Sequence, residues 1–137
     1  MPDLAGKRVL VVGGETEVGR PLAVALAEAG AAVAIASLTQ ETSAEFAVNS
    51  ALNELWAMGR EGIALVIDSS DGEELSRAVS QAEREIGRLD AACVAGEGVD
   101  TKALRSALGE RPVLEIAPDT PPEEALAIVV GELRPRS

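Results

Sequence analysis

The stretch Val9-Leu10-Val11-Val12-Gly13-Gly14-Glu15-Thr16-Glu17-Val18-Gly19-Arg20 constrains the fold of this chain more than any other. Four aliphatic residues in a row suit a strand buried on both faces, and Gly13 and Gly14 then turn the chain into a helix that begins near Val18. Such a helix presents its first backbone amides, and the positive end of its dipole, beyond the end of the strand. That makes the turn a cradle for an anion such as a pyrophosphate. It also carries a carboxylate, Glu17, where a cradle of that kind wants none.

The rest of the chain repeats the pattern. Strands are expected over residues 7–12, 32–36, 63–67, 89–95 and 113–117, and helices over 18–29, 43–58, 70–87, 101–108 and 120–133. Pro21 falls in the first turn of its helix, where its missing N–H is harmless, and Gly30, Gly59 and Gly87 follow the first three helices as stops. Ser70-Asp71-Gly72-Glu73 fits a capping box, and Leu75, Ala78, Val79, Ala82 and Ile86 then form one apolar stripe. Thr120-Pro121-Pro122-Glu123 opens the last helix in a similar way.

Strands alternating with helices over short connections imply parallel strands joined by right-handed crossovers. The fold expected is α/β: a doubly wound parallel sheet, a Rossmann-like three-layer sandwich of about five strands in the order 3-2-1-4-5. The 137 residues are expected to form one domain, 1–137, large enough to bury roughly 68% of its unfolded surface. The hydrophobic content is Ala, Val, Leu and Ile with one Phe, one Trp and no Tyr, so the core is aliphatic. Trp56, near the end of the second helix, is assigned to the core in preference to a subunit interface.

A net charge of -11 repels nucleic-acid backbones and anionic membrane surfaces, which excludes both as partners. No apolar run approaches the ~20 residues of a membrane helix, and the opening Met-Pro-Asp-Leu-Ala-Gly-Lys-Arg lacks the apolar core of a signal peptide. Cys93 is the one cysteine and has no internal disulfide partner. A cytoplasmic location is the expectation. With no His and carboxylates spread along helix faces, no metal site is expected.

Leu4 through Gly13 and on to Gly19-Arg20 resembles the opening strand and Gly-x-x-x-Gly-x-Gly turn of the short-chain dehydrogenase/reductase family. Gly13 and Gly19 match its first and third glycines, and Glu17 stands at the second. Asp68-Ser69-Ser70-Asp71 is similar to the turn that holds the adenine in that family. Gly87-Arg88-Leu89-Asp90 with Ala95-Gly96 resembles the entry and exit of its fourth strand. Val113-Leu114-Glu115-Ile116-Ala117-Pro118-Asp119-Thr120-Pro121 looks like the family's later Val-Asn-x-Ile-Ala-Pro-Gly segment, and the following helix like one near its C-terminus.

On that match a strand and helix are missing in between. In the family they supply a catalytic Ser and a Tyr-x-x-x-Lys pair. This chain has no Tyr, and no His to stand in as a general acid. The resemblance therefore implies a shortened, catalytically degenerate member that binds a dinucleotide or nucleotide without dehydrogenase chemistry. An interaction or regulatory subunit that binds none is the alternative. A working oxidoreductase would need a new proton donor, for which Lys102, Glu97 and Glu115 are the loose candidates. Loss of the segment should also uncover apolar surface that the family normally buries, so a homo-oligomer, a dimer in which a neighbouring chain covers that face, is expected.

The candidate cofactor residues are Gly13, Gly14, Val18, Gly19, Ser37, Asp68, Ala95 and Gly96, with no catalytic residue assigned. Against phosphate binding, a carboxylate about 4 Å from a phosphate charge costs roughly 1 kcal/mol in water and about 4 at an effective dielectric of 20. The helix dipole offers only about 0.3–1 kcal/mol in return. The other reading of the turn is a tight structural corner in which Glu17 itself sits against the helix N-terminus in place of a ligand.

Ser37 stands where an acid would read the ribose hydroxyls of NAD. It either donates one hydrogen bond there or is a plain loop serine. No Lys or Arg occurs from Ala31 through Gly59 to meet a 2′-phosphate, so NADP is disfavoured and NAD is the cofactor expected if one binds; no cofactor at all is equally consistent. Asp68 accepts from an adenine amino group or only starts a turn, and Asp71 caps a helix. Ala95 and Gly96 leave room for a ribose or simply pack. Pro118 and Thr120 align with a loop that touches nicotinamide, and Cys93 is assigned as a buried structural thiol.

Overall fold

A strand of five residues followed at once by a helix cannot pair with its successor as a hairpin, so the chain must cross over and return parallel. It does this four times. The computed structural model describes residues 3–133. In chain order the elements are β1 (Arg8–Val12), α1 (Gly19–Glu28), β2 (Ala32–Ala36), α2 (Thr42–Ala57), β3 (Gly62–Leu65), α3 (Gly72–Ile86), β4 (Ala91–Val94), α4 (Thr101–Leu108), β5 (Val113–Glu115) and α5 (Pro122–Leu133). The sheet is parallel throughout, in the order β3-β2-β1-β4-β5. Strand order and layer architecture are as the alternation of elements predicts, with the last three strands somewhat shorter.

Alternation along β1 divides the core. Val9 and Val11 face α1, α2 and α5, packing with Leu22, Leu26, Val48, Leu55 and Val129. Leu10 and Val12 face the other way onto α3 and α4, among Leu75, Val79, Ile86, Leu104 and Leu108. In register, Val11 lies between Ile35 of β2 and Cys93 of β4, so the centre of the sheet is aliphatic on both sides.

The start of α3 differs by one residue from the expected capping box. Asp71, not Ser70, is the cap: its carboxylate accepts the amides of Glu73 at 2.9 Å and Glu74 at 3.4 Å. Ser70 turns back instead and donates its hydroxyl to Asp68 at 2.6 Å. An aspartate one position nearer the helix reaches the same amides with a formal charge, which the helix dipole favours.

Packing bears on two further expectations. At β5, α4 packs on one side through Leu104 and Leu108, and on the other Ile116, just after the strand, joins Ala125, Val129 and Val130 of α5, while Leu114 is partly buried and Glu115 exposed. The exposed large apolar side chains among the described residues are Phe46, Trp56, Met58 and Ile128. Trp56, assigned to the core, is 57% exposed, and Phe46 on the same helix is 76% exposed. The buried stripe of α2 is Ala44, Val48, Ala51, Leu52 and Leu55, and Trp56 follows Leu55 about 100° further round the helix, which carries it off that stripe.

The structure also reveals a tie that the sequence did not suggest. Arg111, after α4, donates to the Glu83 carboxylate and to the Leu89 carbonyl, both at 2.7 Å, joining α3 to the approach to β4. Burial raises the Glu83 pKa, but the Arg111 guanidinium and the Leu89 amide outweigh it and hold the carboxyl below its ordinary value. If Asp71 is the cap of α3, Asp71→Ala should cost about 1 kcal/mol, a fall of about 3–5 °C in Tm, and Ser70→Ala clearly less; thermal unfolding followed by circular dichroism compares them.

Candidate functional site

The order of the strands reverses at β1, which lies between β2 and β4, so the crevice of the fold opens above the carboxyl ends of these strands. The glycine turn forms its floor. The Gly13 and Gly14 amides both donate to the Ala36 carbonyl, at 2.8 and 3.1 Å, tying the turn to the end of β2. Thr16 closes it: its hydroxyl donates to the Gly13 carbonyl at 2.8 Å and accepts the Gly19 amide at 2.9 Å.

Each glycine of the turn has an internal reason to be glycine. Gly13 has φ +100°, and a Cβ there would lie 2.2 Å from the Ala95 carbonyl oxygen. A Cβ on Gly19 would lie 2.0 Å from the Gly13 carbonyl oxygen, and one on Gly14 would lie 2.1 Å from a methyl of Ile35. Close packing of turn, helix and neighbouring strands thus accounts for all three without a ligand.

Position 17 is different. Glu17 is exposed, with no hydrogen bond or ion pair drawn from its side chain among the described residues. It does not occupy the N-terminus of α1, where the Thr16 hydroxyl takes the role proposed for it. The first turn of α1 holds no acidic residue.

Beside this turn lies a cleft of about 230 Å³ lined by Thr16, Glu17, Val18, Ala95, Gly96 and Pro118. It brings together Val18, Ala95, Gly96 and Pro118 of the expected residues. Ala95 is buried and its amide donates to the Val12 carbonyl at 2.8 Å, while Gly96 is exposed. A Cβ on Gly96 would lie 2.6 Å from Leu38 Cδ1, so the Leu38 side chain rests on this glycine.

Ser37 and Asp68 are placed differently. Ser37 is fully buried, donating its hydroxyl to the Ile67 carbonyl at 3.2 Å and accepting the Ile67 amide at 2.9 Å. Its only proton is directed into the fold, so it holds the chain after β2 to the chain after β3 and is neither a ribose donor nor a plain loop serine. Asp68 makes an Asx turn, accepting the Ser70 hydroxyl and, at 3.0 Å, the Ser70 amide; the Ser70 hydroxyl, then its amide, hold the carboxyl below its usual pKa.

Two residues of the crevice have roles that the sequence did not assign. Thr16 is one. The other is Glu15, whose carboxylate reaches across to the end of β2 and accepts the Leu38 amide through both oxygens, at 3.1 and 2.8 Å. An acid two residues before Glu17 in the same turn gave no hint of its direction.

The loose proton-donor candidates lie outside the cleft lining. Lys102 and Glu97 are exposed on α4 and after β4, and Glu115 is exposed and meets Arg105 at 3.4 Å. Cys93 is fully buried in β4, and burial pushes its thiol pKa up to about 12, which leaves it an unreactive core residue. No helix among the described residues is long and apolar enough to cross a membrane.

Residues 7–112 match the family model described as short chain dehydrogenase. Among curated proteins, the chain is 30% identical over 122 residues to a cyclohexanol dehydrogenase of Rhodococcus sp. (strain TK6), covering 82% of this chain and 45% of that protein. The chain therefore spans less than half the length of that relative. Among solved structures it is similar to carveol dehydrogenase from Mycobacterium avium in complex with NAD, at TM-score 0.64 and 25% identity over 72% of this chain and 38% of that one. It is also similar to a putative dehydrogenase from Burkholderia cenocepacia with bound NADP, at TM-score 0.62 and 27% identity, covering 67% of this chain and 34% of that one.

If the glycines are fixed by the fold itself, Gly13→Ala should lower stability by about 2–4 kcal/mol, roughly 6–15 °C in Tm, with no nucleotide present. Thermal unfolding in nucleotide-free buffer measures it.

Proposed function

The chain belongs to the short chain dehydrogenase family, and from that premise we propose that it is a shortened Rossmann domain that holds a nicotinamide dinucleotide, or part of one, without dehydrogenase chemistry of its own. One observation carries this. The crevice keeps the first and third glycines of the family's turn and the start of α1, yet the cleft there is lined by a single ionisable side chain, Glu17, and the whole chain contains neither Tyr nor His. In a reductase the protein must deliver or remove a proton at the reacting carbon, and that calls for a positioned acid.

The residues fit a dinucleotide at the pyrophosphate. The Gly19 amide is taken by Thr16, whereas those of Glu17 and Val18, both residues of the cleft lining, donate to no partner among the described residues. Gly13 and Gly14 let the backbone form the floor, Ala95 and Gly96 give a small wall, and Asp68 stands at the adenine end. There the Leu38 side chain must turn off Gly96 to admit a base. Bound nicotinamide would supply the hydride chemistry; this chain's part is to bind and orient.

Glu17 is the residue that weakens the fit. Its exposure lets the carboxylate swing into water, which reduces its repulsion of a phosphate to the scale of screened surface charges. Isothermal titration of the wild type and Glu17→Gly with NAD, NADP and AMP tests this function. The expected outcome is binding by both, tighter by about three- to tenfold in Glu17→Gly, and no NAD(P)H-dependent turnover. Absence of binding by both proteins, or turnover by either, overturns it.

A second reading, a homodimeric interaction module, is favoured by α2. The chain's two aromatic residues, Phe46 and Trp56, are both exposed there, ten positions apart and about 15 Å along the axis. A two-fold axis over the middle of an antiparallel α2 pair would set Phe46 against Trp56 of the second copy and Asn49 against Asn53, the self-complementary arrangement that an isologous interface needs. Light scattering at tens of micromolar should then give a dimer that Trp56→Glu reduces to monomer.

A further inference from the structure

The end of β2 lacks the acid that reads a ribose in dinucleotide-binding folds of this type, and Ser37 at that place is buried with its hydroxyl committed to Ile67. We propose that Glu15 supplies that carboxylate from the opposite side of the crevice. The site is thereby set for an adenosine ribose with free 2′ and 3′ hydroxyls and against one bearing a 2′-phosphate. This assignment rests on the dinucleotide function proposed above.

Geometry places the group. Glu15 leaves the glycine turn and crosses to the residue that follows Ser37, where both of its oxygens accept the Leu38 amide, at 3.1 and 2.8 Å. Leu38 is held from its other side as well, its carbonyl accepting the Ser69 amide at 2.9 Å and the Ser69 hydroxyl at 3.0 Å. The carboxylate is thus half-buried and fixed against a pinned peptide instead of waving from the turn. One shared N–H occupies two of its roughly four lone-pair positions. Two acceptor positions remain, the number that a vicinal pair of ribose hydroxyls requires.

Charge sets the discrimination. A 2′-phosphate needs a cation beside it, and the chain on either side of the end of β2 supplies none: no Lys or Arg occurs from Ala31 through Gly59. Arg20, at the start of α1, is turned away onto α2, where it pairs with Glu54 and donates to Ser50 at 3.1 Å and to the Ala47 carbonyl at 3.4 Å. A role confined to tying Leu38 would explain an acceptor at position 15, and a neutral amide oxygen would serve it equally. It predicts no preference between nucleotides.

Glu15→Gln separates these roles, since the amide oxygen still accepts the Leu38 N–H while the charge is lost. Calorimetric titrations with AMP and with adenosine 2′,5′-bisphosphate, backed by NAD and NADP, are made on the wild type and Glu15→Gln, each also in a Glu17→Gly background. The wild type is expected to favour AMP over the bisphosphate at least tenfold. Glu15→Gln should bring the two within about threefold, with Tm within a few degrees of wild type. Nucleotide binding with a ratio that Glu15→Gln leaves unchanged overturns the assignment to Glu15 alone. If no protein in either background binds any of the four nucleotides, the dinucleotide function fails, and the assignment with it.

Discussion

The approach of the Gly13 backbone to the Ala95 carbonyl is the contact on which the upper half of this fold depends. β1 must end directly beside β4, at the point where the strand order reverses, and any Cβ at position 13 would lie 2.2 Å from the Ala95 oxygen. With that approach made, the amides of Gly13 and Gly14 reach the Ala36 carbonyl, Thr16 can bridge Gly13 to Gly19, and α1 leaves the sheet at an angle that buries Leu22 and Leu26. Backbone polar groups that would otherwise be stranded above the sheet are paired with one another. The turn is therefore a folding device first, and any nucleotide it receives meets a surface already formed.

Within the turn the carboxylates have separate tasks that their spacing does not announce. Glu15 is drawn inward to an amide at the end of β2, while Glu17, two residues on, stays in solvent. Asp68 and Asp71 likewise divide the next corner, one accepting from Ser70 within its own turn and the other capping α3. Membership of the family rests on glycines and aliphatic strands. What distinguishes this chain lies in where four acidic side chains point.

The fold was legible in the sequence because its information is local and periodic. Strands end at glycines, Leu75 to Ile86 form one stripe, and short connections leave only parallel crossovers. The site was less legible because its information is directional. Nothing in the string Glu15-Thr16-Glu17 says which side chain folds back, and Ser37 is buried only because the chain beyond β3 returns beside it at Ile67. Trp56 was misplaced for a similar reason: a bulky apolar residue beside Leu55 suggests burial, whereas a step of about 100° takes it off the buried stripe. The packing of α5 against α1 was hidden too, since it depends on how the chain returns after β5.

An aliphatic interior with both aromatic rings on one outer helix also decides how the molecule can be watched. Trp56 is the sole indole, there is no tyrosine, and the indole is more than half in water in the native state. Its emission is already that of a hydrated ring and has little room to change when the chain unfolds, and near-ultraviolet dichroism has no packed chromophore in the core to report. Loss of structure in the sheet will pass almost unseen by optical probes of tertiary packing. The same ring is well placed to register anything that settles on α2.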